Sequence, residues 1–371
     1  MTNNKRINVT QPSLPPLKGF IPYLRKIWDS KWLTNNGQFH QQLEKELAEF
    51  LGVKYVCLFN NGTIALMVAM QALEITGEVI TTPFSFVATS HAIVWSKAKP
   101  VFCDIDPNTL NLDPAKLKAL ITPQTTAIMP VHVYGNPCDN EKIQKIANKH
   151  NVKVIYDAAH AFNVKKEGES ILNWGDLSVL SFHATKVFNT IEGGAIVCHS
   201  KKMKQKIDDL KNFGFRSETE VVDIGINGKM NELQAAFGLL QLKDVENNIK
   251  KRKLVANYYY SNLDNVKGIT CLDNDHSIKW NYSYFPIIID KEKFGKTRNK
   301  LYEKLKENNV FTRRYFYPLI SNFPMYKDLK SAQLDKLPIA NKIALQVLCL
   351  PLYDDLTEEQ VKKICKIING I

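Results

Sequence analysis

From Tyr55 to Val197 short apolar runs alternate with stretches of helical period, and that alternation limits the folds open to the chain. The runs fall at Tyr55–Phe59, Val79–Thr82, Val101–Ile105, Ala127–Val133, Val152–Tyr156, Leu177–Phe182 and Ala195–Val197. Apolar spacing predicts helices over Phe39–Leu51, Ile64–Leu73, Phe86–Trp95 and Glu141–His150. Runs this short and this continuously apolar suit strands buried on both faces, which helices must then cover. The expected architecture is an α/β fold with a mostly parallel sheet wrapped by helices. A long helical pattern from Glu232 to Val245, continuing to Leu263, leads out of it. Beyond lie a predicted strand, Phe285–Ile289, and helices over Lys296–Glu307, Ile339–Cys349 and Glu358–Ile368. At 371 residues the chain exceeds one small core. The expected division is 1–247, an N-terminal arm plus a large domain, and 248–371, a small C-terminal α+β domain.

Charge and cysteine usage narrow the function classes. The formal charge is +12, but the lysines are dispersed. Lys201, Lys202, Lys204 and Lys206 have helical spacing and read as a solvated face. No helix-turn-helix, zinc or RNA-binding signature accompanies them, so no nucleic-acid partner is expected. The positive balance still favours anionic ligands. No apolar run reaches membrane-spanning length, and the polar, proline-containing opening MTNNKRINVTQPSLPP reads as a strap, not a signal peptide. The seven cysteines are scattered, odd in number and mostly inside apolar runs. That pattern suits reduced thiols in a cytoplasmic protein, with neither a disulfide frame nor a metal site.

The chemistry concentrates in Leu177–Val197, where a polar turn carrying Lys186 separates two buried runs and ends in Gly193-Gly194. A buried ammonium is costly unless paired or neutral. A lysine kept part-neutral there would be a nucleophile or Schiff-base former; read alone, the turn better suits a solvated loop lysine. Asp157 closes the run Val152–Tyr156, where a parallel strand would end, and open α/β sheets bind ligands at such ends. An aspartate and a lysine so placed match the needs of pyridoxal phosphate (PLP): an amine for its Schiff base and an acid for its pyridinium nitrogen. Gly62-Thr63 lies between a strand and a helix, where free amides can hold a phosphate. By itself a plain tight turn is as good a reading.

Ser181 to Lys186 (SFHATK) followed by Glu192-Gly193-Gly194 resembles the DegT/DnrJ/EryC1/StrS sugar aminotransferases, and the likeness runs from LTNNG at Leu33–Gly37 to LPLYDDLTEEQVKKI near the end. The resemblance implies the aspartate-aminotransferase-like fold, called fold type I, and a PLP cofactor. It implies that Gly62, Thr63 and Ile64 cradle the cofactor phosphate with Ser181, and that Phe86 stacks on the pyridine ring. Asp157 would hold the ring nitrogen, and His160, where many relatives carry glutamine, would bond the phenolic oxygen. Lys186 would be the catalytic amine, since relatives with histidine there run dehydrations. Asn227 would reach the phosphate of a partner subunit, making the protein a homodimer with shared sites. Thr34, Asn35 and Gly37, with Arg313, Tyr315 and Tyr317, would contact a nucleotide-linked keto sugar. The implied reaction is amination at C4 of dTDP-4-keto-6-deoxy-D-glucose with L-glutamate as donor, for O-antigen or other surface polysaccharide. Amination at C3 of a 3-keto isomer, or of a UDP sugar, are the neighbouring alternatives. A regulatory protein that retains the fold is the non-enzymatic one.

Overall fold

The computed structural model describes residues 6–272 and 275–370. Seven strands form the central sheet: β1 (Tyr55–Phe59), β2 (Glu78–Thr81), β3 (Lys99–Phe102), β4 (Thr125–Met129), β5 (Lys153–Asp157), β6 (Leu177–Ser181) and β7 (Gly194–Cys198). Their order is β1-β7-β6-β5-β4-β2-β3. β7 runs antiparallel to both its neighbours, while β6, β5, β4, β2 and β3 are mutually parallel. The reversal brings the start of β7 beside the ends of β1 and β6, since Gly194 pairs with both Phe59 and Ser181. One edge of the sheet therefore gathers Phe59, Asp157, Ser181 and Gly194.

Helices cover both faces: α1 (Leu17–Ser30), α2 (Gln38–Leu51), α3 (Gly62–Ala72), α4 (Ala88–Trp95), α5 (Pro114–Leu120), α6 (Asn140–His150), α7 (Lys201–Leu210) and α8 (Glu232–Leu263). Alternate strand residues divide between the faces. Val56 and Leu58 of β1 pack with Leu43, Leu47 and Leu239. Cys57 and Phe59 pack instead with Leu66, Met70 and Ile207. The 32 residues of α8 span roughly 48 Å at ~1.5 Å per residue. Its first half places Ala235, Ala236 and Leu239 in the large core. Its second half places Val255, Tyr259 and Leu263 in a separate C-terminal core. There an antiparallel sheet of β8 (Ile269–Cys271), β9 (Phe285–Ile289) and β10 (Val347–Leu350) packs with α9 (Arg298–Glu307), α10 (Pro338–Gln346) and α11 (Glu358–Asn369).

A third cluster joins the two parts, with Phe84, Phe102 and Val133 against Phe316, Leu319 and Ile343. The buried Asp104 adds a polar tie, accepting the amides of Ile339 and Ala340 at 3.1 and 2.8 Å. The N-terminal strap crosses both parts: Ile7–Asn8 pairs in parallel with Val310–Phe311, and the Ser13 carbonyl accepts from Gln241.

Four expectations change. The pattern over Ile339–Cys349 splits, because Val347–Leu350 leaves the helix to pair with β9; a short apolar run fits either period, and pairing decides. The strand expected over Ala127–Val133 stops at Met129, where Pro130 has no N–H to continue the ladder. Phe86 precedes α4 instead of starting it, and its ring is 60% exposed. The face Lys201–Lys206 is only half solvated: Lys204 turns inward to Glu44 and Asp208 at 2.7 and 3.0 Å. Among the described residues no helix is long and apolar enough to cross a membrane.

Candidate active site

A cavity of about 290 Å³ opens at the gathered strand ends, with Gly62, Phe86, Asp157, His160, Ser181 and Lys186 among its lining. The sheet topology explains this company. Asp157 and Ser181 end neighbouring parallel strands, so both side chains stand at one edge. The turn after β6 returns to β7, which carries Lys186 back across that edge.

Asp157 is 5% exposed. Its Oδ2 accepts from Thr89 Oγ1 at 2.7 Å and its Oδ1 from the Ala159 amide at 3.1 Å. Burial pushes its carboxyl above the usual range, and the Thr89 and Ala159 bonds and the charge of Lys186 only partly pull it back. Burial likewise pushes the Lys186 amine down to about 8, against the raising influence of Asp157. A useful fraction of that amine is neutral near pH 8. His160 is also held neutral, chiefly by burial and then by the Lys186 charge. Its Nδ1 lies 3.2 Å from the Tyr134 amide, which donates to it. The proton of the neutral ring is thereby assigned to Nε2.

On the opposite wall α3 begins at Gly62. The Asn61 side chain caps this helix, taking the Ile64 amide at 2.9 Å. The amides of Gly62 and Thr63 belong to the first turn, which has no partners inside the helix. A Cβ on Gly62 would sit 3.1 Å from Ser181 Cβ, and one on Gly194 would sit 2.8 Å from Asn61 C and Gly62 Cα. Two glycines thus let the helix start, Ser181 and β7 close into one cradle.

The remaining expected residues divide. Tyr315 lines the cavity, and its carbonyl accepts from the Tyr134 hydroxyl. Tyr317 lies outside it, beneath the guanidinium of Arg298 at 4.8 Å, and Arg313 is exposed. Thr34 and Asn35 are exposed and away from the cavity; Gly37 is buried at the start of α2, where Glu232 accepts the Phe39 and His40 amides. Asn227 is exposed and, within one chain, does not reach the cavity. Residues that the sequence reading passed over also stand here. Thr89 anchors Asp157, Phe316 packs flat against His160 at 6.0 Å, and the Tyr284 hydroxyl lies 3.5 Å from Lys186 Nζ. Their spacing in sequence carries no signal, because each arrives from an element remote from Leu177–Val197.

The DegT/DnrJ/EryC1/StrS aminotransferase family matches residues 18–369. The chain belongs to this family. This aminotransferase is 55% identical to the dTDP-4-amino-4,6-dideoxy-D-glucose transaminase of Escherichia coli over 369 residues, 99% of each chain. It is 32% identical to the GDP-perosamine synthase of Caulobacter vibrioides, covering all of both. The solved structure of DesI in the presence of its TDP-sugar product superposes with a TM-score of 0.94 at 33% identity, over 98% of this chain and 92% of that one. Aminotransferases of this family depend on PLP, and PLP is the cofactor of this enzyme. The cavity fits it on three observations. A buried carboxylate stays raised above its usual range despite the Lys186 charge, a part-neutral amine lines the same cavity, and two glycines let a helix start, Ser181 and β7 close together where free amides can take a phosphate.

Proposed function

We propose that this aminotransferase aminates dTDP-4-keto-6-deoxy-D-glucose at C4 with L-glutamate as donor, yielding dTDP-4-amino-4,6-dideoxy-D-glucose for O-antigen or another surface polysaccharide. The observation that carries the reading is the 55% identity, over 99% of both chains, to a transaminase of that name. The cavity chemistry supports it.

Bound PLP supplies an electron sink for the electrons of a breaking C–H bond. The chain's own residues supply the rest. Lys186 would be the amine that holds the cofactor, and its Nζ, part-neutral in this cavity, would carry the proton that transamination moves. Asp157 would keep the ring nitrogen protonated, and His160, with its proton on Nε2, would donate to the phenolic oxygen. Gly62, Thr63, Ile64 and Ser181 hold the phosphate, the Ile64 amide being shared with Asn61. Phe86 covers the ring face. Tyr315 borders the sugar, with Thr34, Asn35, Gly37, Arg313 and Tyr317 completing the substrate surface in the assembled protein.

That assembly is a cytoplasmic homodimer with shared sites, in which Asn227 reaches the partner's phosphate. Exposed apolar side chains flank Asn227, with Ile224 86%, Val221 59% and Ile226 37% accessible, a patch that calls for cover. The division into 1–247 and 248–371 falls within α8, which lets one rigid helix hold the small domain over the cavity.

The test is to incubate the enzyme with dTDP-4-keto-6-deoxy-D-glucose and L-glutamate and locate the new nitrogen by NMR. Nitrogen at C4 is expected; nitrogen at C3, or turnover only with a UDP sugar, overturns the substrate assignment. Lys186→Ala should abolish turnover while still binding PLP without a covalent link. Asn227→Ala should weaken PLP retention, and a fully active monomer in sedimentation refutes the shared site.

A further inference from the structure

The small domain brings Tyr284, Tyr315 and Phe316 to the cavity, and the loop that carries Tyr284 is anchored by buried hydrogen bonds. Asn281 is 1% exposed, and its Nδ2 donates to the carbonyls of His160 and Phe162 at 2.8 and 2.9 Å. Ser283 is 7% exposed; its Oγ donates to the His160 carbonyl at 2.8 Å, and its amide donates to Asn281 Oδ1 at 3.1 Å. These bonds fix the segment before β9 to the backbone of His160, which lines the cavity. The next side chain, Tyr284, is aimed by them. Its ring meets His160 edge-on at 4.9 Å and Tyr315 at 5.6 Å, and its hydroxyl accepts from Lys186 Nζ at 3.5 Å. That distance is long, as catalytic hydrogen bonds commonly are before a ligand tightens them. No other hydroxyl is bonded to Lys186 Nζ among the described residues.

We infer that Tyr284 is a catalytic residue of this aminotransferase, its hydroxyl relaying protons at Lys186 Nζ, with Asn281 and Ser283 as the positioning residues that hold it there. The inference rests on Lys186 being the amine that binds PLP. A phenol suits the task because it both accepts and donates. When an amine condenses with an aldehyde, nitrogen loses two protons, the C–N double bond forms, and the carbonyl oxygen takes both protons and leaves as water. A hydroxyl beside Nζ takes one proton from nitrogen as it gives its own to oxygen, and ends unchanged. Asp157 is already engaged by Thr89 Oγ1 and the Ala159 amide, and His160, neutral with Nδ1 already occupied, has one remaining proton on Nε2.

Tyr284→Phe keeps the ring and removes only the hydroxyl. The measurement is the rate at which cofactor-free full-length enzyme captures PLP covalently, followed by stopped-flow absorbance, beside the equilibrium dissociation constant for PLP. The variant should capture PLP roughly 10²-fold more slowly, the low end of what a positioned proton donor contributes. Its dissociation constant should stay within about twofold and its Tm unchanged. Ser283→Ala should show a smaller slowing that Ser283→Thr reverses. Capture by Tyr284→Phe at the wild-type rate overturns the assignment. So does a slowing matched by an equal loss of affinity, which marks a damaged pocket instead of a lost relay. A wild-type enzyme that fails to capture PLP, or a Lys186→Ala enzyme that does capture it, refutes the underlying reading instead. The sugar substrate plays no part in the assay.

Discussion

Thr89→Val tests how the site keeps a carboxylate charged in a buried place. Thr89 is fully buried and makes its shortest contact, 2.7 Å, with Asp157 Oδ2. Two other acceptors compete for its one hydroxyl proton, the Phe86 carbonyl at 3.1 Å and Ser85 Oγ at 2.9 Å. The ionised oxygen is the strongest acceptor and takes it, so Ser85 donates to Thr89 in turn. A hydrogen bond to a charged group contributes about 1.5–3 kcal/mol. Valine deletes it, leaving Asp157 with the Ala159 amide. Loss of that bond should lift the Asp157 pKa further above a value that burial has already raised. The sign follows directly. The bond favours the ionised form, so its loss costs stability where Asp157 is charged and nothing where it is protonated. Cofactor-free Thr89→Val should therefore be less stable than wild type by about 1.5–3 kcal/mol at pH values where Asp157 is ionised in both proteins, and the gap should close as pH falls through the folded-state pKa of Asp157. Urea denaturation across pH measures it. The acid limb of PLP affinity should move to higher pH with it. A stability gap independent of pH, or an unmoved acid limb, would show that Thr89 serves packing alone.

Asp157→Asn should lower kcat by at least about 10²-fold, because an amide cannot hold the ring nitrogen protonated; steady-state kinetics at saturating PLP decides, and unchanged kcat removes Asp157 from that role. Gly194→Ala should push the start of α3 off the cradle, since the new Cβ would lie 2.8 Å from Asn61 and Gly62 backbone atoms; overpacking costs about 1–3 kcal/mol, so Tm should fall and the PLP dissociation constant rise about tenfold or more. Burial opposes the charge of Glu44, yet Lys211, His40 and Lys204 outweigh it and hold its pKa well below the ordinary range. Glu44→Gln should cost about 3 kcal/mol in urea unfolding near neutral pH, the low end for breaking a buried pair because Asp208 still faces both lysines. That difference should shrink in acid as the wild-type carboxylate protonates.

The outcomes separate by the reach of the forces involved. Strand and helix positions in the large domain were legible because β1, β5 and β6 are buried on both faces and so carry unbroken apolar runs. The run Val347–Leu350 was not legible as a strand, since its four buried residues follow a helix with no breaker between them. Lys204 reads as solvated from its own neighbours, because the Glu44 that draws it inward lies on α2, 160 residues away.

The amino-acid order alone determined the alternating α/β architecture and the company of Lys186, Asp157, Ser181 and Gly62, because each of those residues ends or follows an apolar strand and a parallel sheet brings strand ends together. Only the tertiary structure decided which side chains tune them. Thr89 supports Asp157 from α4, Tyr134 sets the proton of His160, and Tyr284 approaches Lys186 from the small domain, 98 residues along the chain. Periodicity records which face an element buries, and it holds no record of which distant side chain will come to lie against that face.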